Sequence, residues 1–333
     1  RKNALLFSRK AEIEIPKIRI GIPRVLNIYE EYPFWHTLFS ECKISVHLSG
    51  TSDFSKYEQT ANMVMSDNLC FPAKLVHSHI SELQKSDVDR IFMPFVVKGK
   101  CSKDEQNSYN CPIVTGYSAV VKSTQQSKVP IDSPVISFND RKLLHKQCRK
   151  YLISLGIEEK EINGAILKAE KAQADYNREI TEENKALLKT SIEEGKLSIL
   201  LAGRPYHSDP LIQHKVSDML TEMGINVLTE DIVRQEEINI SDTHFLAQWS
   251  YPNRIMRAAK WCTEQNKLIQ FVQMTSFGCG PDAFIIDEVR ELLLRNNRAY
   301  TLLKLDDINN IGSMKLRVRS LVESLKIANA GNE

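Results

Sequence analysis

Short runs of β-branched and aliphatic residues alternate along the chain with longer stretches whose apolar positions recur every three or four residues, the pattern of parallel strands covered by amphipathic helices. Two blocks of this kind are legible. The first opens with a strand over 18–22, then a helix from about Pro33 in which Trp35, Leu38, Phe39 and Cys42 share a face, then a strand over 44–48. Further strands are predicted at 62–66, 90–93 and 134–138. The second block opens with a strand over 197–202, then a helix carrying Ile212, Val216, Met219, Leu220 and Met223, then a strand over 225–228. Later strands fall at 268–274 and 299–305, and a last helix over 313–325 presents Met314, Val318, Leu321, Val322 and Leu325 on one side.

Both blocks begin with a strand, a loop holding Arg and Pro, a helix and a strand, as GIPRVLNIYEEYP and AGRPYHSDP, a weak internal repeat. Between them, residues 140–195 are rich in Lys, Glu, Ala and Leu, with Leu144, Cys148, Tyr151 and Leu155 on one stripe and Ile162, Ile166, Ala169 and Tyr176 on another. This reads as a helical connector whose charged face is solvated. The expected architecture is α/β: two Rossmann-like parallel-sheet domains joined by a helical connector. The divisions are a linker over 1–17, a first domain over 18–139, the connector over 140–195 and a second domain over 196–330.

Composition adds exclusions. The 333 residues, 42% hydrophobic and 26% charged, rule out general disorder and a disulfide miniature. With 44 basic and 42 acidic residues the formal charge is +2, so no global field recommends nucleic acid or a membrane surface as partner. No apolar run approaches the roughly 18 to 20 residues a bilayer requires, and RKNALLFSRKAEIEIPK lacks the apolar centre of a signal peptide, so the cytoplasm is expected. Seven cysteines, an odd number, then point to reduced thiols or metal ligands rather than a bridged framework.

Three cysteines share a local grammar: Cys70-Phe-Pro, Cys111-Pro and Cys279-Gly-Pro. After Cys70 and Cys279 an amphipathic helix follows, and proline suits a first helical turn because its missing N–H would have no partner there. Helix amino ends favour thiolate and any anionic cluster that thiolates hold. The segment IVTGYSAVV after Cys111 need not be helical. Three thiolates suit an iron–sulfur cluster with one open iron, and the short C-x₂₋₄-C spacing of structural zinc sites is absent, although zinc remains the competing metal. Cys42, Cys148 and Cys262 lie on apolar stripes and read as core, whereas Cys101 reads equally as an exposed thiol or a spare ligand.

Other motifs narrow the chemistry. Gly278-Cys-Gly-Pro-Asp-Ala283 has the outline of a dinucleotide fingerprint, but Pro281 removes an N–H where a pyrophosphate needs one. No G-x-x-x-x-G-K-[ST] and no G-x-S-x-G occurs, which excludes a Walker-type ATPase and gives Ser-His-Asp catalysis no support. The loop 203–210, GRPYHSDP, gathers a cation, a phenol and an imidazole after a strand, with Pro210 placed to start a helix. There Arg204 could anchor a carboxylate or phosphate and His207 could donate a proton, or Arg204 and Asp209 could simply brace the loop. His77, His79 and His214 are expected on helices, packed or exposed.

The stretches GIPRVLNIYEEYPFWHTLF, DNLCFPAKLVHSHI, NSYNCPIVTGYS, LAGRPYHSDPLIQH, SFGCGPDAFIIDEV and LLKLDDINNIGSMKLRVRSL resemble the activase-related branch of the 2-hydroxyacyl-CoA dehydratase superfamily. The branch is similar to the dehydratase subunits and the double-cubane cluster proteins. The resemblance implies two Rossmann-like domains holding an oxygen-sensitive cluster, reduced at low potential by an ATP-driven activator. It implies Cys70, Cys111 and Cys279 as ligands of one [4Fe–4S] cluster, in CFPAK, NCPIV and GCGPD. ATP would act only through a separate activator domain or partner, because the ATPase portion of fused relatives is missing from this sequence, and RKNALLFSRK reads like the end of a linker. Double-cubane proteins need more thiolates than these three. The expected partners are an ATPase activator and a CoA-thioester substrate, and a homodimer is compatible with the resemblance. A dehydratase-like lyase, an ATP-dependent reductase component and an electron relay all stay open, with His207 and Arg204 as candidates for proton delivery and substrate anchoring. The rival readings are a non-redox module, with metal-free cysteines, that binds CoA thioesters or a partner, and a structural zinc protein.

Overall fold

The computed structural model describes residues 1–333 apart from 12, 103–104, 126, 242, 244–245, 308–310 and 331–333. Part of the stretch LLKLDDINNIGSMKLRVRSL, at 308–310, therefore lies outside the described residues. The chain divides into two compact units, residues 1–176 with 248–250, and residues 177–247 with 251–333.

The first unit contains α1 (Lys2–Phe7), β1 (Ile18–Ile22), α2 (Ile28–Glu41), β2 (Ile44–Leu48), α3 (Phe54–Glu58), α4 (Phe71–Leu83), β3 (Arg90–Phe92), β4 (Phe95–Lys98), α5 (Pro112–Thr124), β5 (Ile131–Asp132), β6 (Val135–Ser137) and α6 (Arg141–Ser154). It also takes the first part of the long helix α7 (Glu159–Glu193). The strands pair in parallel in the order β2-β1-β3-β5, with β4-β6 as a further parallel pair. Pro94 and Pro134 explain the break, because neither has an N–H to give to the ladder. Hydrogen bonds run on across it, from Met93 N to Asp132 O and from Phe95 N to Pro134 O, both 2.9 Å. β3 with β4, and β5 with β6, thus act as two interrupted strands of one four-strand winding. Its core is aromatic: Trp35 and Phe39 of α2 pack on Phe92, with ring centroids 4.7 and 5.0 Å away.

The second unit takes the rest of α7, then β7 (Ser198–Ala202), α8 (Val216–Glu222), β8 (Asn226–Thr229), α9 (Ser250–Thr263, from Tyr251 onward), β9 (Ile269–Ser276), α10 (Gly280–Arg295), β10 (Thr301–Leu305) and α11 (Ile311–Ala330). Its sheet is parallel throughout, ordered β10-β9-β7-β8. Strands buried on both faces read as continuous apolar runs, as SILLA does in β7, where all five residues are buried. Leu200, Phe271, Ile255, Ile285 and Val289 belong to one buried cluster that joins strands to α9 and α10.

Numbered from its own first strand, each unit is wound 2-1-3-4, the doubly wound Rossmann-like order whose reversal point lies between first and third strands. Of the helices over 140–195, α6 and the start of α7 fall in the first unit, and α7 after Tyr176 in the second. Several local expectations are corrected. Residues 62–66 are not a strand: 61–63 form a 3-10 turn, closed by bonds from Met63 N to Thr60 O and from Val64 N to Ala61 O. The helix expected from Pro33 begins a turn earlier, at Ile28. No helix starts at Pro210; residues 210–215 form turns with positive φ at His214 and Lys215, and α8 begins at Val216, leaving Ile212 and His214 outside it.

Candidate functional site: cysteine-capped helices and a buried ion pair

Cys70, Cys111 and Cys279 are the N-cap residues of α4, α5 and α10, each with extended backbone and a proline in the first two helical positions. Cys111 therefore does start a helix. Its β-branched followers pack because Val114, Tyr117 and Val121 fall on one buried face. The Cys111 sulfur accepts from the Val114 backbone N–H at 3.5 Å, the contact an N-cap oxygen would make. In the first unit α4 and α5 are tied by His77 Nε2 and the Tyr117 hydroxyl, 3.0 Å apart. Burial and then the nearby Cys70 push the Tyr117 phenol up to about 12. Cys111 is buried, while Cys70 and Cys279 are half-buried.

Cys111 and Cys279 stand at corresponding places, each at the start of the helix after the third strand of its own unit. That edge, beyond the carboxyl ends of the strands, is where open α/β sheets bind ligands. In the second unit the turn to Cys279 closes with a bond from Cys279 N to Ser276 O, 3.1 Å, and needs positive φ at its third residue, met by Gly278 at +75°.

The loop after β7 meets this turn through a fully buried network. Arg204 Nε and Nη2 donate to Asp282 Oδ1 at 3.0 and 2.7 Å, and Thr275 Oγ1 donates to Asp282 Oδ2 at 2.9 Å. The Arg204 and Asp282 side chains are 1% and 0% exposed, so the guanidinium fork is engaged inside the unit. Burial pushes the Asp282 carboxyl up, but Arg204, His207 and Thr275 together outweigh it and hold it below the ordinary aspartate value. The backbone N–H of Arg204 donates to His207 Nδ1 at 3.1 Å, and His207 Nε2 lies 3.1 Å from Ser276 Oγ. A Cβ on Gly203 would lie 2.6 Å from His207 Nδ1, so this ring position demands glycine there. Asp209 is also buried, its Oδ1 accepting from the N–H groups of Leu211 and Ile212 at 2.8 and 3.2 Å.

Cys42, Cys148 and Cys262 are buried, and burial pushes their thiols up to about 11, 12 and 12. Cys101 is exposed. His79, on α4, sits between two hydroxyls, Ser49 Oγ at 2.8 Å from Nδ1 and Ser52 Oγ at 3.1 Å from Nε2, a polar contact its sequence position does not signal. Asp282, Thr275 and Ser276 are likewise missed by sequence reasoning, although a Ser/Thr pair ending a strand and an acid three residues after an N-cap are visible once the turn is known. Donor chemistry at the three N-caps suits a thiolate-bound cluster. Among the described residues, however, no group of three or more His, Cys, Asp or Glu side chains is gathered so as to hold a metal ion.

Fold and site together define a Rossmann-like α/β protein with cysteine-capped helices at the carboxyl edges of its parallel sheets. The family described as CoA enzyme activase uncharacterised domain (DUF2229) matches residues 19–233, more than half of the chain, and the chain belongs to it. This relates it to the activase and dehydratase superfamily without distinguishing a branch. The matched stretch includes Cys70, Cys111, Arg204 and His207 and ends before Cys279. No curated protein matches the chain. Among solved structures it is similar to a putative sugar binding protein from Salmonella typhimurium LT2, 8% identical over 93% of this chain and 87% of that one, with a TM-score of 0.23. It is also similar to the C-terminal domain of glucosamine-fructose-6-phosphate aminotransferase from Francisella tularensis, 10% identical over 95% and 90%, with a TM-score of 0.22. Neither likeness bears on function. No helix among the described residues is long and apolar enough to cross a membrane.

Proposed function

We propose that the chain is the cluster-bearing redox module of an activase and dehydratase system, with Cys70, Cys111 and Cys279 as thiolate ligands of a [4Fe–4S] cluster. The observation that carries this reading is the repeated N-cap: three cysteines each open a proline-started helix, two of them at the same place in two copies of one winding. Membership of the CoA enzyme activase family supports it. When bound, the cluster would supply a low-potential electron, received from an ATP-dependent activator domain or protein. The chain's own part is to hold anionic sulfur at helix amino ends, where backbone N–H groups and the helix dipole favour negative charge. Arg204 and His207 are not given contact with a substrate in this reading, because Asp282 and Ser276 engage them within the second unit.

The test is anaerobic reconstitution of the full chain with iron and sulfide, followed by metal analysis and electron paramagnetic resonance of the reduced protein. The expected outcome is a signal lost in each of Cys70→Ser, Cys111→Ser and Cys279→Ser and kept in Cys148→Ser. A colourless wild type with no bound iron after reconstitution overturns the reading. If that protein still gains thermal stability with CoA thioesters in the presence of a chelator, a metal-free binding module takes its place.

A further inference from the structure

The turn that carries Cys279 is held at both of its ends by a single loop. Before the turn, Ser276 at the end of β9 is reached by His207 Nε2 at 3.1 Å. After it, Asp282 in the first turn of α10 is reached by the Arg204 guanidinium at 2.7 Å, with Thr275 closing the other carboxylate oxygen at 2.9 Å. Arg204 joins the two ends itself, since its backbone N–H fixes the His207 ring and its side chain fixes Asp282. Gly203 leaves the room that ring needs. Every side chain of this network is at least nine-tenths buried, so the bonds are screened little by solvent. Residues 277–281, with Cys279 in the middle, span the gap between the held ends.

We infer that Arg204, His207 and Asp282 are positioning residues for Cys279: they clamp the strand end and helix start that flank it, and so fix where its sulfur is presented. The clamp stands on its own geometry, but the purpose of that sulfur rests on the cluster-bearing function proposed above. The clamp's two hydroxyl members allow a mild test, because Thr275→Val and Ser276→Ala each remove one hydrogen bond while leaving the Arg204–Asp282 pair intact.

The readout is the rate of iodoacetamide alkylation at Cys279 in the reduced, metal-free full chain at one fixed pH, measured by peptide mass spectrometry. Cys70 serves as internal reference. Ile199→Val, a core change in the same unit, serves as a control for general loss of stability. Both clamp variants are expected to speed alkylation of Cys279 by about fivefold, the change in local opening that one lost hydrogen bond allows, while Cys70 stays within about twofold. An unchanged rate at Cys279 in both variants overturns the clamp, as does an equal acceleration in Ile199→Val. Iron content of the reconstituted wild type is read separately: accelerated alkylation without iron retention retires the ligand role of Cys279 and supports the clamp alone.

Discussion

A carboxylate withdrawn from water, as Asp282 is, keeps its charge because Arg204 and Thr275 surround it, and acid attacks that arrangement directly. Its folded value lies below the ordinary 3.8, so its stabilising contribution is complete above that pH and is lost as pH falls through the depressed folded value. Urea midpoints measured against pH should therefore show an extra drop below about pH 4 in wild type that Asp282→Asn lacks. At neutral pH the same substitution strands the Arg204 charge and is expected to cost about 3–5 kcal/mol in urea unfolding. His36 in the first unit has the same sign at higher pH. Burial, then Arg9, lowers its ring from 6.5 to about 4, so the unfolded chain takes up a proton that the folded one refuses. Stability should be full above pH 6.5 and decline toward pH 4, a slope in the thermal midpoint that His36→Phe removes.

At the scale of elements, the strands at 18–22 and 44–48 are legible in the sequence because an apolar run bounded by polar turns admits few other readings. β4 is not, since Pro94 cuts the apolar run into pieces too short to count separately, and only pairing with β6 shows the continuation. The helix after Cys111 is hard to read for a comparable reason. Its β-branched residues have weak helical preference, and burial of Val114, Tyr117 and Val121 decides the outcome. Residues 62–66 show the converse, a brief apolar alternation that pairs with no strand among the described residues and whose first part closes as a 3-10 turn. The turn before α10 carries its own prediction. Gly278→Ala, at φ +75°, places a Cβ where left-handed backbone disfavours it and should lower stability by about 1 kcal/mol in denaturant unfolding.

For the whole molecule, the alternation of strand and helix announces the α/β class, and the Cys-Pro grammar announces the helix caps, because both signals are local. The buried network is hidden for the opposite reason. Arg204 and Asp282 are 78 residues apart in sequence and His207 and Ser276 are 69 apart, so their meeting depends on how β7 and β9 lie side by side. Two rounds of one strand order also make each half a key to the other. Arg24 stands two residues past the first strand of its unit as Arg204 does in the other, yet Arg24 lies 4.0 Å over the Phe7 ring where Arg204 meets a carboxylate. One position of a shared winding thus carries an arginine stacked on an aromatic ring in one half and an arginine locked to a carboxylate in the other, so replacing either guanidinium by lysine removes a different kind of contact.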